Sequence, residues 1–201
     1  MKTRSVLNVS ELPTWSFGHL SLMWWGTLGF MLIEGTVFVL AVAMYFYLMT
    51  IADQWPLNVA PPSLTWGTVF LGVLLLSIWP NHWAERVAKE ENLHKVRRGL
   101  ILTAAFGIVL IGIRVFEFRA LNIRWDENAY GSVLWLLLGL HTTHLVTDVV
   151  DTLVLTALMM TGPLHKKRYS DVTDNAFYWD FVVLAWIPIY AVLYWAPRLG
   201  G

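Results

Sequence analysis

A single carboxylate, Glu34, stands in the otherwise uncharged run from Leu20 to Thr50. A helix crossing hydrocarbon needs about 20 mostly apolar residues, because the core is ~30 Å thick and every backbone polar group must be satisfied inside the helix. Four further segments meet that condition. Leu64 to Trp79 is free of charge before Pro80, and a polar continuation carries this helix to Val96. Gly99 to Phe118 is interrupted only by Arg114 and Glu117, and Tyr130 to Met160 and Phe177 to Trp195 complete the set. The sequence therefore predicts an all-α integral membrane bundle of five transmembrane helices, about 20–50, 64–96, 99–118, 130–161 and 177–195, in one domain over residues 1–201. Charged residues make up only 14 % of the chain, against about a quarter in soluble domains. Residues 1–20 lack the compact apolar run and small-residue site of a removable signal peptide.

Positive charge sets the expected direction of insertion, since Lys and Arg concentrate in cytoplasmic loops. Lys2 and Arg4 precede the first span, Arg86, Lys89, Lys95, Arg97 and Arg98 lie between spans two and three, and Lys166, Lys167 and Arg168 between four and five. The other side holds Arg119, Arg124 and Arg198. This asymmetry predicts a cytoplasmic N-terminus and an outside C-terminus. Trp24, Trp25, Trp55, Trp66, Trp83, Trp125 and Trp195 fall near predicted span ends, where an amphipathic ring suits the interface. The segment Asn81 to Val96 reads as a solvated helix end, laced by Glu85–Lys89 and Glu91–Lys95 pairs in the favourable i,i+4 order.

Ionisable groups inside the spans carry the functional information, because a charge at the bilayer centre costs on the order of 3 kcal/mol even on the lenient insertion scale. Glu34 lies about 20 Å into its helix at ~1.5 Å per residue, with Gly26, Gly29 and Gly35 available for close helix approach. In span four, His141, His144, Asp148 and Asp151 recur at helical spacing and share an arc of about 80°. That stripe either stores and conducts protons or marks a face buried against other helices. Glu34 is at the right level to meet His141 or His144. Arg114 and Glu117 form an i,i+3 pair that neutralises its own charge and ties the bundle together. Asp180 either joins Asp148 and Asp151 in an inner-side acidic patch or serves as a solvated or capping group.

Catalytic readings find little purchase. Fourteen Lys and Arg balance fourteen Asp and Glu, which removes a polycationic argument for nucleic acid, and the absence of cysteine excludes disulfides, Cys-held iron–sulfur clusters and covalent c-type haem. Haem sandwiched in a membrane needs ligands on facing helices, whereas His141 and His144 share one helix and His19, His82, His94 and His165 are read as lying near the surfaces. Paired Glu-x-x-His motifs of a two-iron site, phosphate loops and nucleophile elbows are missing. No catalytic residue and no metal site are assigned.

Specific strings add a resemblance. GTLGFMLIEGTVF from Gly26 to Phe38 resembles the first common helix of the cytochrome c oxidase subunit III family, with its mid-membrane Glu. Thr65-Trp66 opens the next helix in the same way. RVFEFRA from Arg114 to Ala120 is similar to the family's Gln-x-x-Glu-Tyr, GLHTTH from Gly139 to His144 to its Gly-Phe-His-x-x-His, and YWDFVVLAW from Tyr178 to Trp186 to its Tyr-Trp-His-Phe-Val-Asp-Val-Val-Trp. Asp180 and Val183 replace the His and Asp of that last pattern, Phe118 replaces Tyr, and Asp148 stands where Gly is usual.

The resemblance is to the short, five-helix form of the family. It implies a cofactor-free accessory subunit of a haem–copper terminal oxidase in aerobic electron transport, resident in the bacterial cytoplasmic membrane. The catalytic subunit I and other respiratory subunits would be its partners and would carry the haem and copper. Phospholipid would occupy a cleft at Glu34, and the chain would sustain proton uptake. Alternatives are a subunit III-like protein of a nitric oxide reductase, or a small membrane carrier or quinone-interacting anchor.

Overall fold

The computed structural model describes residues 16–17, 20–161 and 166–199. Lys2, Arg4, His19 and His165, used above for orientation and ligand counting, lie outside the described residues. Helix α1 runs Leu22–Ile51, α2 Leu64–Lys89, α3 Leu93–Arg119, α4 Ala129–Thr161 and α5 Lys166–Tyr190; a π turn, Ala191–Trp195, and a short α6, Ala196–Leu199, follow. Five of the described helical segments are long and apolar enough to cross a membrane, as the sequence predicts. A two-residue antiparallel ladder, β1 Ser16–Phe17 with β2 Leu20–Ser21, precedes α1.

Helices α2, α3, α4 and α5 pack in a ring, each against its two neighbours, while α1 touches only α4 and α5 among the helices with substantial contact. One end of the bundle carries the α2–α3 turn, and the opposite end carries the α1–α2 and α3–α4 loops; these are the turn end and the loop end. Helix α1 buries Met31, Phe38, Ala41 and Tyr45, which recur at alternating steps of seven, three and four and so form one narrow seam. Glu34 falls on that seam. The central core joins Phe38, Phe70, Leu110, Leu137, Trp179 and Trp186, and a second cluster near the turn end joins Ala84, Val87, Ala88, Val96, Leu100, Leu155 and Met159.

Close approach comes from glycines other than those beside Glu34. A Cβ on Gly99 would lie 2.8 Å from that of Ala84, and one on Gly67 would enter the Tyr194 ring, whereas Gly26 and Gly29 have nothing within 4 Å. The first two therefore seat helix on helix, and the last two leave space.

Four sequence expectations change. The second span does not continue to Val96: α2 stops at Lys89, Glu91 takes a left-handed φ of 53°, and the Asn92 side chain accepts the Lys95 amide to start α3. Asparagine is a preferred cap, and an unhelical residue at the stop lets the chain reverse there. Glu91 consequently lies outside either helix, so the helical Glu91–Lys95 register is lost, while Lys89 does reach Glu85 at 2.7 Å. Nor is Asn81 to Lys89 a solvated end, since Ala84, Val87 and Ala88 are buried against α3. Helix α5 begins at Lys166 rather than Phe177, carrying the polar residues Asp171, Asp174 and Asn175 into the bundle. Trp55 is buried rather than interfacial: its indole donates to Tyr45 Oη at 3.0 Å and its ring packs edgewise on Tyr45 and Tyr130. Trp25, Trp125 and Trp195 are exposed, as a belt requires.

Candidate functional site

The stripe on α4 is shared between two polar clusters. Glu34 of α1 is held from both sides. Tyr178 Oη of α5 donates to its Oε2 at 2.7 Å, and His144 Nε2 of α4 stands 3.1 Å from its Oε1. His144 Nδ1 faces the Leu140 carbonyl at 2.6 Å. A carbonyl only accepts, so Nδ1 carries a proton, and the contact between Nε2 and Oε1 then holds one further proton, on the carboxyl or on the ring. The arrangement is a proton-sharing pair with a tyrosine hydroxyl fixing the far oxygen.

This pair forms one wall of a lateral cleft of about 660 Å³ between α1, α4 and α5, lined by apolar residues such as Phe30 and Val154 and by Asp148, Asp151, Asp171, Asp174 and Asn175. Gly26 and Thr27 line its α1 side, where the missing Cβ of Gly26 widens it. Asn175 bridges the carboxylates: its Nδ2 lies 3.3 Å from Asp148 Oδ1 and 3.2 Å from Asp151 Oδ2, and its Oδ1 accepts from the Thr152 hydroxyl. Asp148 Oδ2 is buried without a hydrogen-bond partner. An isolated buried oxygen of this kind is free to accept from a polar guest in the cleft.

His141, one turn away, faces the ring of four helices. Arg114 Nη2 donates to its Nδ1 at 2.9 Å, and its Nε2 donates to the Val182 carbonyl at 3.0 Å. Because a guanidinium has no lone pair to offer, Nδ1 must be the acceptor, which fixes the imidazole with its proton on Nε2. Arg114 Nη1 also meets Glu117 Oε2 at 2.6 Å, and Tyr194 Oη donates to Glu117 Oε1. The guanidinium lies over the Phe70 ring at 3.6 Å and the Trp186 ring at 4.1 Å. Arg114 and Glu117 side chains are each 1 % exposed. The π turn supplies the tyrosine: its wider winding buries Val192, Leu193 and Tyr194 in succession.

The structure thus chooses between readings the sequence left open. Glu34 meets His144, not His141. Asp148 and Asp151 stay together, but Asp180 does not join them; it bonds His82 at 2.9 Å and Asn81 at 3.2 Å toward α2. His82, read as lying near a surface, sits about 10 Å from the Lys89 end of α2. Sequence reasoning also missed Tyr178, Asn175 and Tyr194 as partners. Tyr178 stood within a quoted string, but nothing in the spacing said that it faces Glu34. Among the described residues, no three His, Asp or Glu side chains are grouped to hold a metal ion.

The quoted strings converge in these clusters. Those of Glu34, GLHTTH and YWDFVVLAW meet at the cleft, and RVFEFRA meets GLHTTH and YWDFVVLAW around Arg114. Fold and site together define an integral membrane helix bundle with a proton-sharing pair in a lateral cleft and a buried ionic cluster beside it. The chain belongs to the cytochrome c oxidase subunit III family, whose sequence model matches residues 25–197. It is 25 % identical over 174 residues to the cytochrome c oxidase subunit 3 of Thermostichus vulcanus, covering 86 % of this chain and 87 % of that protein. The Synechocystis sp. protein of the same name is 24 % identical over 181 residues, 88 % of this chain and 77 % of the relative. The chain spans 54 % of the Pylaiella littoralis protein, to which it is 26 % identical.

Proposed function

We propose that this chain is an accessory subunit of a haem–copper terminal oxidase, with dioxygen reduction carried out on haem and copper of the catalytic subunit and no cofactor bound here. Family membership supports the complex, and the Glu34–His144–Tyr178 cluster in its cleft is the observation that carries the role. The apolar part of the lining of this cleft of about 660 Å³, Met23, Phe30, Val154, Leu155 and Leu158, suits lipid acyl chains. Its carboxylates descend from Glu34 through Asp148 and Asp151 toward the turn end, a route along which protons can be held. Arg86, Lys89, Lys95, Arg97 and Arg98 around the α2–α3 turn support, by the positive-inside rule, a reading in which that end faces the cytoplasm, of a bacterial inner membrane on this proposal. The reading is therefore of a subunit that retains phospholipid and supports proton uptake into its neighbour.

Purified complex carrying Glu34→Gln tests this. Assembly is retained, because glutamine keeps the shape and can bond Tyr178 and His144. Co-purified phospholipid or the number of turnovers before inactivation falls. Unchanged lipid content together with unchanged turnover lifetime would refute a functional Glu34. The large subunit that travels with the chain, identified by its spectrum, tests the oxidase assignment.

A further inference from the structure

The cleft between α1, α4 and α5 is one-sided in charge. Glu34, Asp148, Asp151, Asp171 and Asp174 line it beside Asn175, and among the described residues no lysine or arginine does. The basic residue on its lining, His144, is already engaged, with Nε2 at Glu34 and Nδ1 at the Leu140 carbonyl. Arg168 donates to the carbonyl of Leu158, which lies ~15 Å along α4 from Asp148. Asp171 and Asp174 have interactions of their own, so the unmet demand falls on Asp148 and Asp151. Carboxylate oxygens taken out of water are complete only when they are paired.

Asp148 sets what a guest must offer. The residue is 2 % exposed; its Oδ1 accepts from Asn175 Nδ2, which Asp151 shares, and its Oδ2 has no partner. The amide oxygen of Asn175 is taken by the Thr152 hydroxyl. Acceptor positions are therefore what this wall presents, and a carboxylate has about four lone-pair sites and no donor when ionised. The complementary group is a positive one with several N–H donors and no lone pair, as a primary ammonium is. A trimethylammonium has the charge without the donors. A phosphate headgroup lacking an amine would set its negative charge against the carboxylates. The cavity of about 660 Å³ falls within the ~300–1,000 Å³ of sites that hold small molecules, and Phe30 and Val154 offer attached acyl chains an apolar wall. The demand is particular to this chain, since Asp148 stands where Gly is usual in the subunit III pattern.

We infer that the cleft selects a phospholipid whose headgroup carries a primary ammonium, seated against Asp148 and Asp151. The inference rests on the reading that the cleft retains phospholipid, and it adds the headgroup class. The ammonium donates to Asp148 Oδ2 and to Asp151, while the acyl chains follow Phe30 and Val154. Asn175 holds the two carboxylates side by side through one amide nitrogen, so that both face a single guest. Charge-assisted hydrogen bonds of this kind are about twice as strong as neutral ones, which is why the headgroup, rather than the chains, decides between lipids of equal length.

The full chain in detergent micelles is equilibrated with equal amounts of dioleoyl phosphatidylethanolamine, phosphatidylcholine and phosphatidylglycerol, and the lipid retained after washing is measured by mass spectrometry. The parent chain should retain the ethanolamine lipid at least about tenfold over each of the others, the ratio that one charge-assisted hydrogen bond supports. Gly26→Phe fills the cleft from a position with open space around it and should remove that excess, which locates the lipid. Asp148→Asn combined with Asp151→Asn should bring the ratio below about twofold while total lipid is kept, because the apolar lining is untouched. Asp151→Asn alone, at an exposed position, should lower the ratio several-fold and serves where the double variant does not fold. Equal retention of the lipids by the parent, a preference for phosphatidylglycerol, an ethanolamine excess that survives Gly26→Phe, or a ratio unchanged by the Asp151→Asn variants each overturns the headgroup assignment. A parent chain that retains no phospholipid overturns the lipid-cleft reading itself, a distinguishable result.

Discussion

Removing the carboxylate of Glu117 should be among the most damaging single changes to this bundle. Its partner Arg114 is 1 % exposed, contacts it at 2.6 Å, and has a further buried Nε–H with no acceptor. Glu117→Leu leaves a guanidinium with only His141 and two aromatic faces, and stranding one member of a buried pair costs about 3–5 kcal/mol. The contacts with Phe70 and Trp186 offset ~2 kcal/mol of that, so the net loss should be about 1–3 kcal/mol. Arg114→Leu alone should cost a similar amount, because it strands Glu117 with Tyr194 only. The double variant removes both charges, and a well-packed apolar replacement of a buried pair is often nearly neutral. Reversible unfolding in mixed micelles therefore should give a double-variant loss at least ~2 kcal/mol smaller than the two single losses combined. Additivity within about 0.5 kcal/mol would refute the coupled-pair account, as would two single losses near the ~0.6 kcal/mol average of neutral interhelical hydrogen bonds in membranes.

Gly99→Leu should destabilise by about 1–3 kcal/mol through overpacking, because its Cβ would stand 2.8 Å from that of Ala84; Gly26→Ala, with open space around it, should leave the unfolding midpoint unchanged. Asp148→Asn keeps an oxygen for Asn175 and removes a buried carboxylate oxygen that has no partner, so stability should not fall; a loss above about 1 kcal/mol in the same unfolding measurement would indicate a missing partner. In the complex, Asp148→Asn or Asp151→Asn should slow proton uptake, and rates equal to the parent would leave these residues a packing role. Lys89→Ala breaks an exposed pair with Glu85 and should change stability by less than about 0.5 kcal/mol.

The five spans were legible because hydrocarbon thickness imposes a length that apolar runs record directly. Their ends were less so. Asn92 carries a recognisable cap preference, but it sits among charges that also suit a continuous solvated helix. The first turns of α5 read as a connection because Asp171, Asp174 and Asn175 are polar, and only the cleft explains why polar residues belong on a packed helix. Spacing put His141 and His144 on one side of α4 yet could not say that 60° of rotation separates a ring facing Arg114 from one facing Glu34. For Asp180 the sequence left an acidic patch and a solvated or capping role equally open, whereas its partners Asn81 and His82 came from α2, a relation fixed by which helices adjoin.

Helix winding gives one last constraint. The five-residue segment Ala191–Trp195 contains more chain than regular coiling would use. Deleting Ala191, Val192 or Leu193 would restore ordinary coiling ahead of Tyr194 and withdraw the wide turn that brings its phenol to Glu117, although every remaining side chain is intact. Segment length here is thus a specification in its own right, and shortening should do more harm than exchanging a residue for another of equal bulk.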